Sequence, residues 1–324
     1  MAIYISGSLA YDRVMNFPGT FGDYIIPEKI HMLNVCFPIE KLEEKRGGTG
    51  GNIAYNLALL GEQPIILATA GKDFGSYKSF LERIGVNLEG VRALPDEYTP
   101  GAYITTDLQA NQITGFHAAA MNFPCAYTFP RLNPQNDIAI IAPSNPEDME
   151  KHARLYHERG VRFIFDPGQQ LTSLTREALI AGITGALLLI SNDYELDLFM
   201  QISGLDLDGI LRMTPTVITT LGEKGSRIRR RDGSTSLTPA LPIRKLENPT
   251  GAGDAYRAGL VKGIIQGWEL EQSCLLGAAC AAFCVERYST QEHYFDASSL
   301  RQRIKDGAGT ALPIEFASLA LPPQ

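Results

Sequence analysis

The amino-acid sequence predicts an α/β protein whose main sheet is mostly parallel and doubly wound, with helices on both faces, together with a small β-sheet. From residue 137 onward, strand-like and helix-like segments alternate along the chain. The strand-like segments are continuously apolar, which is typical of strands that helices cover on both faces. Two other segments, 12–45 and 98–122, lack a helical period, and we expect them to pair as the small sheet.

The order of the main elements follows from hydrophobic spacing and from the glycines that end several segments. We predict strands at residues 2–5, 64–70, 138–142, 162–165, 186–190 and 217–220, and helices at residues 52–60, 77–84, 146–159, 175–183, 195–202 and 255–267. Within 99–116, two extended runs flank a turn at residues 109–111, which predicts a hairpin. Residues 17–45, with many aromatics and prolines, indicate β-ribbon structure outside the main core.

Composition limits the possible function classes. The chain has 324 residues, of which 44% are hydrophobic and 20% charged, and its formal net charge is −7. It has no long basic run, so we expect no nucleic-acid partner, and no apolar stretch of roughly 18 residues, so we expect no membrane partner. The start MAIYISGSLAYD lacks the basic region of a signal peptide, and the five cysteines form no CxxC motif. We therefore expect a cytoplasmic enzyme without a disulfide framework or a zinc site.

The stretch NPTGAGDAYRAGL, residues 248–260, combines a glycine-rich turn with an acid and a helix-like sequence. Asp254 could be the N-cap of that helix. A dinucleotide fingerprint G-x-G-x-x-G would need glycine where Tyr256 stands, and the sequence contains no Walker A motif. A further interpretation is an anion site, in which the backbone N–H groups of Ala252, Gly253 and Asp254 bind a phosphate at the helix start.

A carboxylate beside a phosphate site has a chemical purpose in phosphoryl transfer. Fixed N–H donors stabilise the charge on the transferring group. The acceptor alcohol loses its proton as it attacks, and a carboxylate within reach can take that proton. Asp254 is therefore the candidate base, and Gly251, Ala252 and Gly253 form the candidate phosphate cradle.

The run TGAGDAYRAG resembles the C-terminal signature of the ribokinase (PfkB) family of carbohydrate and nucleoside kinases, commonly written D-T-x-G-A-G-D. This resemblance implies a ribokinase-like fold, ATP as phosphate donor with Mg²⁺, and Thr250 beside the nucleotide. Asn248 stands where the signature has its first acid, so the binding of a monovalent cation such as K⁺ stays open.

A second stretch, GGTGGNIAYNLA at residues 47–58, resembles the N-terminal signature of the same family. Glycines allow the backbone to approach a ligand closely, and Asn52 can offer its amide to hydroxyl groups. The resemblance implies that Gly48, Thr49, Asn52 and Asp12 bind the sugar hydroxyls of the substrate. Alternatively, Asn52 is a plain N-cap and Asp12 a solvated loop residue.

Two further motifs match the nucleotide side of the family. The run NDYE at residues 192–195 resembles N-x-x-E, which implies that Asn192 and Glu195 organise the phosphates and Mg²⁺, with Glu195 acting on the metal through water. The same residues suit an ordinary capping box. The run TLGEKG at residues 220–225 resembles T-L-G-x-x-G, which implies that Thr220, Gly222 and Gly225 border ATP. A plain glycine-bearing turn is the alternative.

The motifs span residues 12–256 in family order, so the resemblance covers nearly the whole chain. It implies two domains: a large nucleotide- and substrate-binding domain formed by residues 1–11, 46–97 and 123–324, and a small β lid formed by residues 12–45 and 98–122. An exposed apolar face of the lid could also pair two subunits as a homodimer.

The lid sequence favours a nucleoside over a free sugar. Residues 107–116 and 120–121, together with DPGQQ at 166–170 and SNDYE at 191–195, are most similar to the bacterial adenosine-kinase branch of the family. Phe116 is the candidate to stack on a purine, with Met121 nearby, although Phe116 could instead be lid core. His117 departs from the aromatic residue of that branch.

We therefore expect an ATP-dependent kinase of the 5′-hydroxyl of a ribonucleoside, with adenosine as the first candidate. A kinase of a free sugar such as ribose or fructose, or of another nucleoside such as inosine, is the alternative. A third hypothesis that the same motifs allow is a non-catalytic protein that binds a nucleotide and acts as a regulator.

Overall fold

The computed structural model describes residues 1–317 and residue 319, and within them it contains thirteen strands and nine α-helices. The strands are β1 (Ile3–Ser6), β2 (Ala10–Asn16), β3 (Lys41–Gly47), β4 (Ile65–Gly71), β5 (Asn87–Leu94), β6 (Gly101–Thr106), β7 (Gln112–His117), β8 (Ile138–Ile141), β9 (Arg162–Phe165), β10 (Leu188–Asn192), β11 (Thr216–Thr220), β12 (Ser226–Arg230) and β13 (Thr235–Thr238). The helices are α1 (Thr49–Leu59), α2 (Gly75–Arg83), α3 (Pro146–Arg159), α4 (Arg176–Ile183), α5 (Asp193–Ser203), α6 (Leu207–Met213), α7 (Ala252–Ile265), α8 (Leu270–Val285) and α9 (Ala297–Ala308).

Nine strands of the described residues form one sheet, in the order β13-β12-β11-β10-β9-β8-β1-β4-β5. Every pairing from β11 to β5 is parallel, whereas β12 and β13 join antiparallel at one edge. The predicted mostly parallel sheet is confirmed. The antiparallel edge was not predicted, because β12 reads SRIRR and only its Ile228 shows the apolar character of a buried strand.

Side chains of the interior strand β1 alternate between two cores. Ile3 and Ile5 of β1 belong to a core that includes residues of α1, α2, α7 and α8, whereas Tyr4 belongs to a second core with α3, α4 and α5. This alternation follows from the two-residue period of a strand. Helices therefore cover both faces of the sheet, which confirms the doubly wound architecture.

The strand order reverses between β1 and β8. On one side of this point the chain continues through β4 and β5, and on the other it continues through β9, β10 and β11. Ligands of open α/β sheets bind outside the carboxyl ends of the strands at such a reversal. The loops after β1 and β8 meet there, since the N–H of Ser8 donates to the carbonyl of Pro143 at 2.9 Å.

The remaining four strands form a separate small sheet in the order β3-β2-β6-β7. It joins the two segments, 12–45 and 98–122, that the sequence predicted to pair. Strands β6 and β7 form the predicted hairpin, with Gly101 opposite His117 and Thr106 opposite Gln112.

The predicted β-ribbon over 17–45 is wrong for residues before β3. These residues form loops with short 3₁₀ turns at Phe21–Asp23 and Pro27–Met32. The aromatic residues that suggested strands pack instead on one another, with ring centroids of Phe17 and Phe37 5.0 Å apart and those of Phe17 and Phe21 5.7 Å apart. A local aromatic cluster thus replaces strand pairing in this segment.

The helices are of moderate length. The longest of those described, α8, has 16 residues. Among the described helices, none is long and apolar enough to cross a membrane. The five cysteines, all of which lie in the described part of the chain, are free thiols.

Candidate active site

A cavity of about 860 Å³ opens where the parallel strands end, and strands of the small sheet form part of its wall. Most of the residues singled out from the sequence line it: Asp12, Gly48, Thr49, Asn52, Phe116, Met121, Asn192, Glu195, Thr220, Gly222, Thr250, Gly251, Gly253 and Asp254. Two others, Ala252 and Gly225, do not. The fold therefore gathers motifs from both ends of the chain around one space.

The glycine turn before α7 needs the absence of a side chain. Gly251 is the N-cap residue of the helix and has a φ of 81°, in the left-handed region that favours glycine. A Cβ at this position would lie 2.7 Å from Cγ2 of Thr290. Because α7 begins at Ala252, Asp254 is its third residue, and the interpretation of Asp254 as the N-cap is wrong.

The first N–H groups of α7 differ in their partners. The N–H of Ala252 donates to the carbonyl of Pro249 at 3.3 Å, whereas those of Gly253 and Asp254 donate to no other described residue. Such groups in the first turn lack an intrahelical acceptor and lie at the positive end of the helix dipole. The expected cradle of three donors is therefore reduced to two, Gly253 and Asp254, which both line the cavity.

The carboxylate of Asp254 is only partly exposed, and it accepts a hydrogen bond at Oδ2 from Nδ2 of Asn52 at 2.8 Å. Burial raises the pKa of Asp254 to about 7, although Arg257 and the Asn52 hydrogen bond act to lower it; Asp166 and Asp12 add smaller effects that raise it. A carboxyl group whose pKa lies near neutrality is suited to accept a proton.

Asn52 lies within α1, one turn from its start. The helix begins at Thr49, and its N-cap residue is Gly48 with a φ of 85°, so the alternative of Asn52 as N-cap is wrong. A Cβ on Gly48 would lie 2.6 Å from the carbonyl oxygen of Ser8. The side chain of Thr49 holds the same turn, since its Oγ1 donates to the carbonyl of Pro143 at 2.9 Å.

The small sheet supplies the opposite wall. Asp12 lies within β2 rather than in a solvated loop, and burial raises the pKa of its carboxyl group. Phe116 lies on β7 and lines the cavity while its side chain is 53% exposed, so it is not part of a buried lid core. Ile104 of β6 and Met121, just after β7, add apolar surface to this wall.

A buried ion pair that was not predicted lies beside Asp254. Arg257, one turn further along α7, donates to both carboxylate oxygens of Asp166, which follows β9. Burial opposes the charge on Arg257, but Asp166 outweighs that effect and raises the pKa of the guanidinium. A Cβ on Gly253 would lie 2.8 Å from Nη1 of Arg257, so this glycine makes room for the cation. An arginine in the otherwise apolar run AYRAGLV, residues 255–261, is the sequence feature that could have indicated this ion pair.

The nucleotide motif at the end of β10 forms a capping box at the start of α5. The side chain of Asn192 accepts from the N–H of Glu195 at 2.7 Å, and Oε2 of Glu195 accepts from the N–H of Asn192 at 2.8 Å. The capping alternative is thus confirmed, and both residues also line the cavity. The two interpretations are compatible.

Of the three residues predicted at the end of β11 and in the turn after it, two line the cavity and one does not. Thr220 and Gly222 line the cavity, whereas Gly225 lies outside it and has a φ of 83°. A Cβ on Gly225 would lie 2.0 Å from the carbonyl oxygen of Thr238. Gly225 is therefore required by the close approach of the backbone before β12 to the end of β13.

The family model described as pfkB family carbohydrate kinase matches residues 23–296 of this chain. The chain therefore belongs to the pfkB family of carbohydrate kinases and is a phosphotransferase, which confirms the family resemblance and the expectation of an enzyme.

Several relatives are named nucleoside kinases. The nucleoside kinase of Methanocaldococcus jannaschii is 33% identical over 275 residues, which cover 83% of this chain and 89% of the relative. The structure of Burkholderia thailandensis nucleoside kinase in complex with inosine superposes with a TM-score of 0.83 at 34% identity and covers 96% of this chain and 99% of that one. The solved structure of the M. jannaschii enzyme, described as an archaeal member of the ribokinase family, gives a TM-score of 0.82 at 29% identity and covers 94% of this chain and 99% of that one. The ribokinase-like fold is thereby confirmed.

We expect Asp254→Asn to stabilise the protein increasingly as the pH rises from about 4 to about 7. The folded-state pKa of about 7 lies above the ordinary 3.8, so the unfolded chain loses this proton at lower pH than the folded protein. In the wild-type protein, the stability that protonated Asp254 contributes is fully present below the pKa of this group in the unfolded chain. It is lost as the pH rises through the pKa of this group in the folded protein. Thermal unfolding across this pH range measures the effect. The exposed carboxylate variant Asp193→Asn is the control, and a difference in Tm between Asp254→Asn and wild type that stays constant with pH would contradict the expectation.

Proposed function

We propose that the protein is an ATP-dependent nucleoside kinase that phosphorylates the 5′-hydroxyl of a ribonucleoside, with adenosine as the first candidate. The observation that carries the proposal is one cavity lined both by Asp254 with the free donors at the start of α7 and by the half-exposed ring of Phe116. The relatives named nucleoside kinases support the substrate class. Inosine in the B. thailandensis complex makes inosine the second candidate.

In this proposal the carboxylate accepts a proton and the backbone N–H groups stabilise negative charge. Oδ2 of Asp254 accepts from Asn52, so Oδ1 is the oxygen left to take the proton of the 5′-hydroxyl. The hydroxyl oxygen attacks the γ-phosphorus in line as the bond from that phosphorus to the β,γ-bridging oxygen breaks, and ADP leaves. The N–H groups of Gly253 and Asp254 stabilise the charge of the transferring group. Arg257 adds positive charge close beneath the same turn.

Substrate hydroxyls and nucleotide take different sides of the cavity. We assign Asp12, Gly48, Thr49 and Asn52 to the ribose hydroxyls. We assign the residues at the ends of β10 and β11 and in the glycine turn to ATP: Asn192, Glu195, Thr220, Gly222, Thr250 and Gly251. Ala252, whose N–H donates to Pro249, belongs to the same turn but does not line the cavity. Gly225 shapes the neighbouring turn without reaching the cavity.

The residues present fit a magnesium ion. Glu195 lines the cavity, its Oε2 accepts from a backbone N–H, and its Oε1 makes no hydrogen bond to another described residue. Glu195 would hold the ion through water. When bound with ATP, Mg²⁺ supplies positive charge that offsets the charge of the phosphates.

Asn248 does not fit as a ligand for a monovalent cation. Its Oδ1 accepts from the N–H of Thr250 at 2.9 Å, and its Nδ2 donates to the carbonyl of Tyr288 at 2.8 Å. This neutral side chain thus holds the glycine turn through Oδ1 and joins it to the segment after α8 through Nδ2. We therefore assign no step to K⁺.

Residues 12–45 and 98–122 are proposed to act as a lid that excludes water from the cavity, with the rest of the chain as the large domain. We also propose that two copies pair through this lid. Strand β7 is an edge strand whose six residues are all exposed. Unpaired edges offer free N–H and C=O groups to another strand.

Two substitutions in the reaction centre are expected to act differently. Asp254→Asn removes the base and is expected to lower kcat about 10²- to 10⁴-fold while ATP still binds. Asn52→Ala removes a proposed ligand of the ribose together with the hydrogen bond to Asp254, and it is expected to raise KM for the nucleoside while lowering kcat less than Asp254→Asn does. Steady-state kinetics and ATP titration of both variants measure this. Near-normal turnover by Asp254→Asn would refute its assignment as the base.

A substrate panel tests the nucleoside assignment. We expect fast ATP consumption with adenosine or inosine and little with ribose or fructose, because Phe116 can stack only on a base. Phe116→Leu is expected to raise KM for the nucleoside about 10-fold, in line with the strength of base stacking. Ile113→Leu, on the same strand but outside the cavity, is the matched control. Fast turnover of ribose without turnover of any nucleoside would contradict the assignment.

Light scattering with size-exclusion chromatography tests the pairing of lids. We expect the wild-type protein to have twice the mass of one chain and Ile113→Lys, on β7, to have the mass of one chain. Leu237→Lys places the same charge on β13, at the edge of the large sheet, and is expected to remain a dimer. A monomeric wild-type protein, or a dimer that Ile113→Lys leaves intact, would exclude this interface.

A further inference from the structure

A chain of buried hydrogen bonds ends at Asp254 and begins at a backbone carbonyl. The hydroxyl of Tyr77 donates to the carbonyl of Gly47 at 2.9 Å. Nε2 of Gln291 donates to the Tyr77 oxygen at 2.6 Å and to Oδ1 of Asn52 at 2.9 Å. Nδ2 of Asn52 then donates to Asp254 at 2.8 Å.

The direction of this chain is fixed by its first acceptor. A backbone carbonyl can only accept, so the proton of the Tyr77 hydroxyl points to Gly47, and the Tyr77 oxygen must accept from its other neighbour. The amide nitrogen of Gln291 has two hydrogens, and both are used, on Tyr77 and on Asn52. Oδ1 of Asn52 is therefore an acceptor on this side, which turns its Nδ2 toward Asp254.

The local packing is built to admit Gln291. Gln291 is 1% exposed and Tyr77 is fully buried. A Cβ on Gly51 would lie 2.0 Å from the Tyr77 hydroxyl oxygen and 3.3 Å from Nε2 of Gln291, so Gly51 leaves the space for this contact. The preceding residue, Thr290, packs against Gly251 in the same way. The segment at 290–291 thus contacts both glycine turns of the site.

We propose that Gln291 is a positioning residue that fixes the amide of Asn52 so that its nitrogen, and not its oxygen, faces Asp254. This inference rests on the proposed function, in which Asp254 is the base. With the opposite orientation, an amide oxygen would face the carboxylate and disfavour its ionised form.

The charged groups around Asp254 show why the hydrogen bond from Asn52 matters for the ionised form of this carboxylate. Asp166 and Asp12 raise the pKa of Asp254 in addition to burial, and Arg257 lowers it. The thiol of Cys284 is also close enough to interact electrostatically with Asp254. Arg257 is already paired with Asp166, so the Asn52 amide is the neutral donor that supports the ionised carboxylate directly.

The test is a titration of Asp254 in three variants. The carboxyl carbon is followed by ¹³C NMR in protein labelled on aspartate, with Asp254→Asn used to assign the signal. Gln291→Glu replaces the amide donor by an acceptor of the same shape, Gln291→Met removes the polar group, and Glu292→Gln alters the adjacent residue, whose side chain points to Lys45.

We expect the pKa of Asp254 to rise by about 1–2 units in Gln291→Glu, in line with the loss of a hydrogen bond to a charged group, and by less in Gln291→Met. Glu292→Gln should leave the pKa unchanged. The acidic limb of the pH profile of kcat should move to higher pH in the same order. In an Asn52→Ala background, most of the shift caused by Gln291→Glu should disappear.

The order of the variants separates positioning from packing. A purely structural role predicts that Met, which does not match the shape and polarity of glutamine, perturbs the site more than Glu. An unchanged titration in Gln291→Glu, or a larger shift in Gln291→Met, would overturn the inference. If Gln291→Glu does not fold, as judged by its thermal unfolding, an upward shift in Gln291→Met supports the inference and an unchanged pKa there refutes it.

The titration does not need turnover, so it fails or succeeds independently of the proposed function. A full set of shifts without phosphorylation of any nucleoside would reject the nucleoside kinase and retain the role of Gln291 in orienting Asn52. If the protein phosphorylates nucleosides but substitutions of Gln291 leave the pKa of Asp254 unchanged, the nucleoside kinase is retained and the role of Gln291 is rejected.

Discussion

The hydrogen bond between Asn52 and Asp254 is the contact on which the geometry of the site depends. It joins helices α1 and α7 through residues 202 positions apart. Both helices begin after a glycine with positive φ, Gly48 and Gly251, and both therefore start abruptly at the cavity. The backbone donors and the carboxylate are held in one place because these two helix starts are joined by this partly buried hydrogen bond.

A partly buried carboxylate next to an anion site has an electrostatic cost, and the surroundings limit it. The Asp166–Arg257 pair lies beside Asp254, so the positive charge of Arg257 does not fully neutralise the Asp254 carboxylate. The pKa of about 7 follows from this balance between burial, which raises it, and the nearby donors, which lower it. Full pairing with Arg257 would favour a permanently ionised and weaker base.

The sequence predicted the features that depend on local chemistry. The apolar strands and the glycine turns before α1 and α7 were found because strand burial and helix starts leave short-range patterns. The features that were missed depend on contacts between distant residues. Asp166 and Arg257 are 91 positions apart, and Gln291 and Asn52 are 239 apart, so no spacing rule connects them. Strand β12 was missed because three of its five residues are arginines, and two of them, Arg229 and Arg230, donate to side chains outside the strand.

The short connection between β1 and β2 has a consequence for how this protein could change its substrate. Only residues 7–9 separate the two strands, and Ser8 in that connection lines the cavity, as does Asp12 on β2. The same connection thus joins the large sheet to the small sheet and, through Ser8, lines the cavity. In the proposed function, where the small sheet is a lid over the substrate, a mutation in this connection is therefore expected to change both substrate selectivity and lid closure.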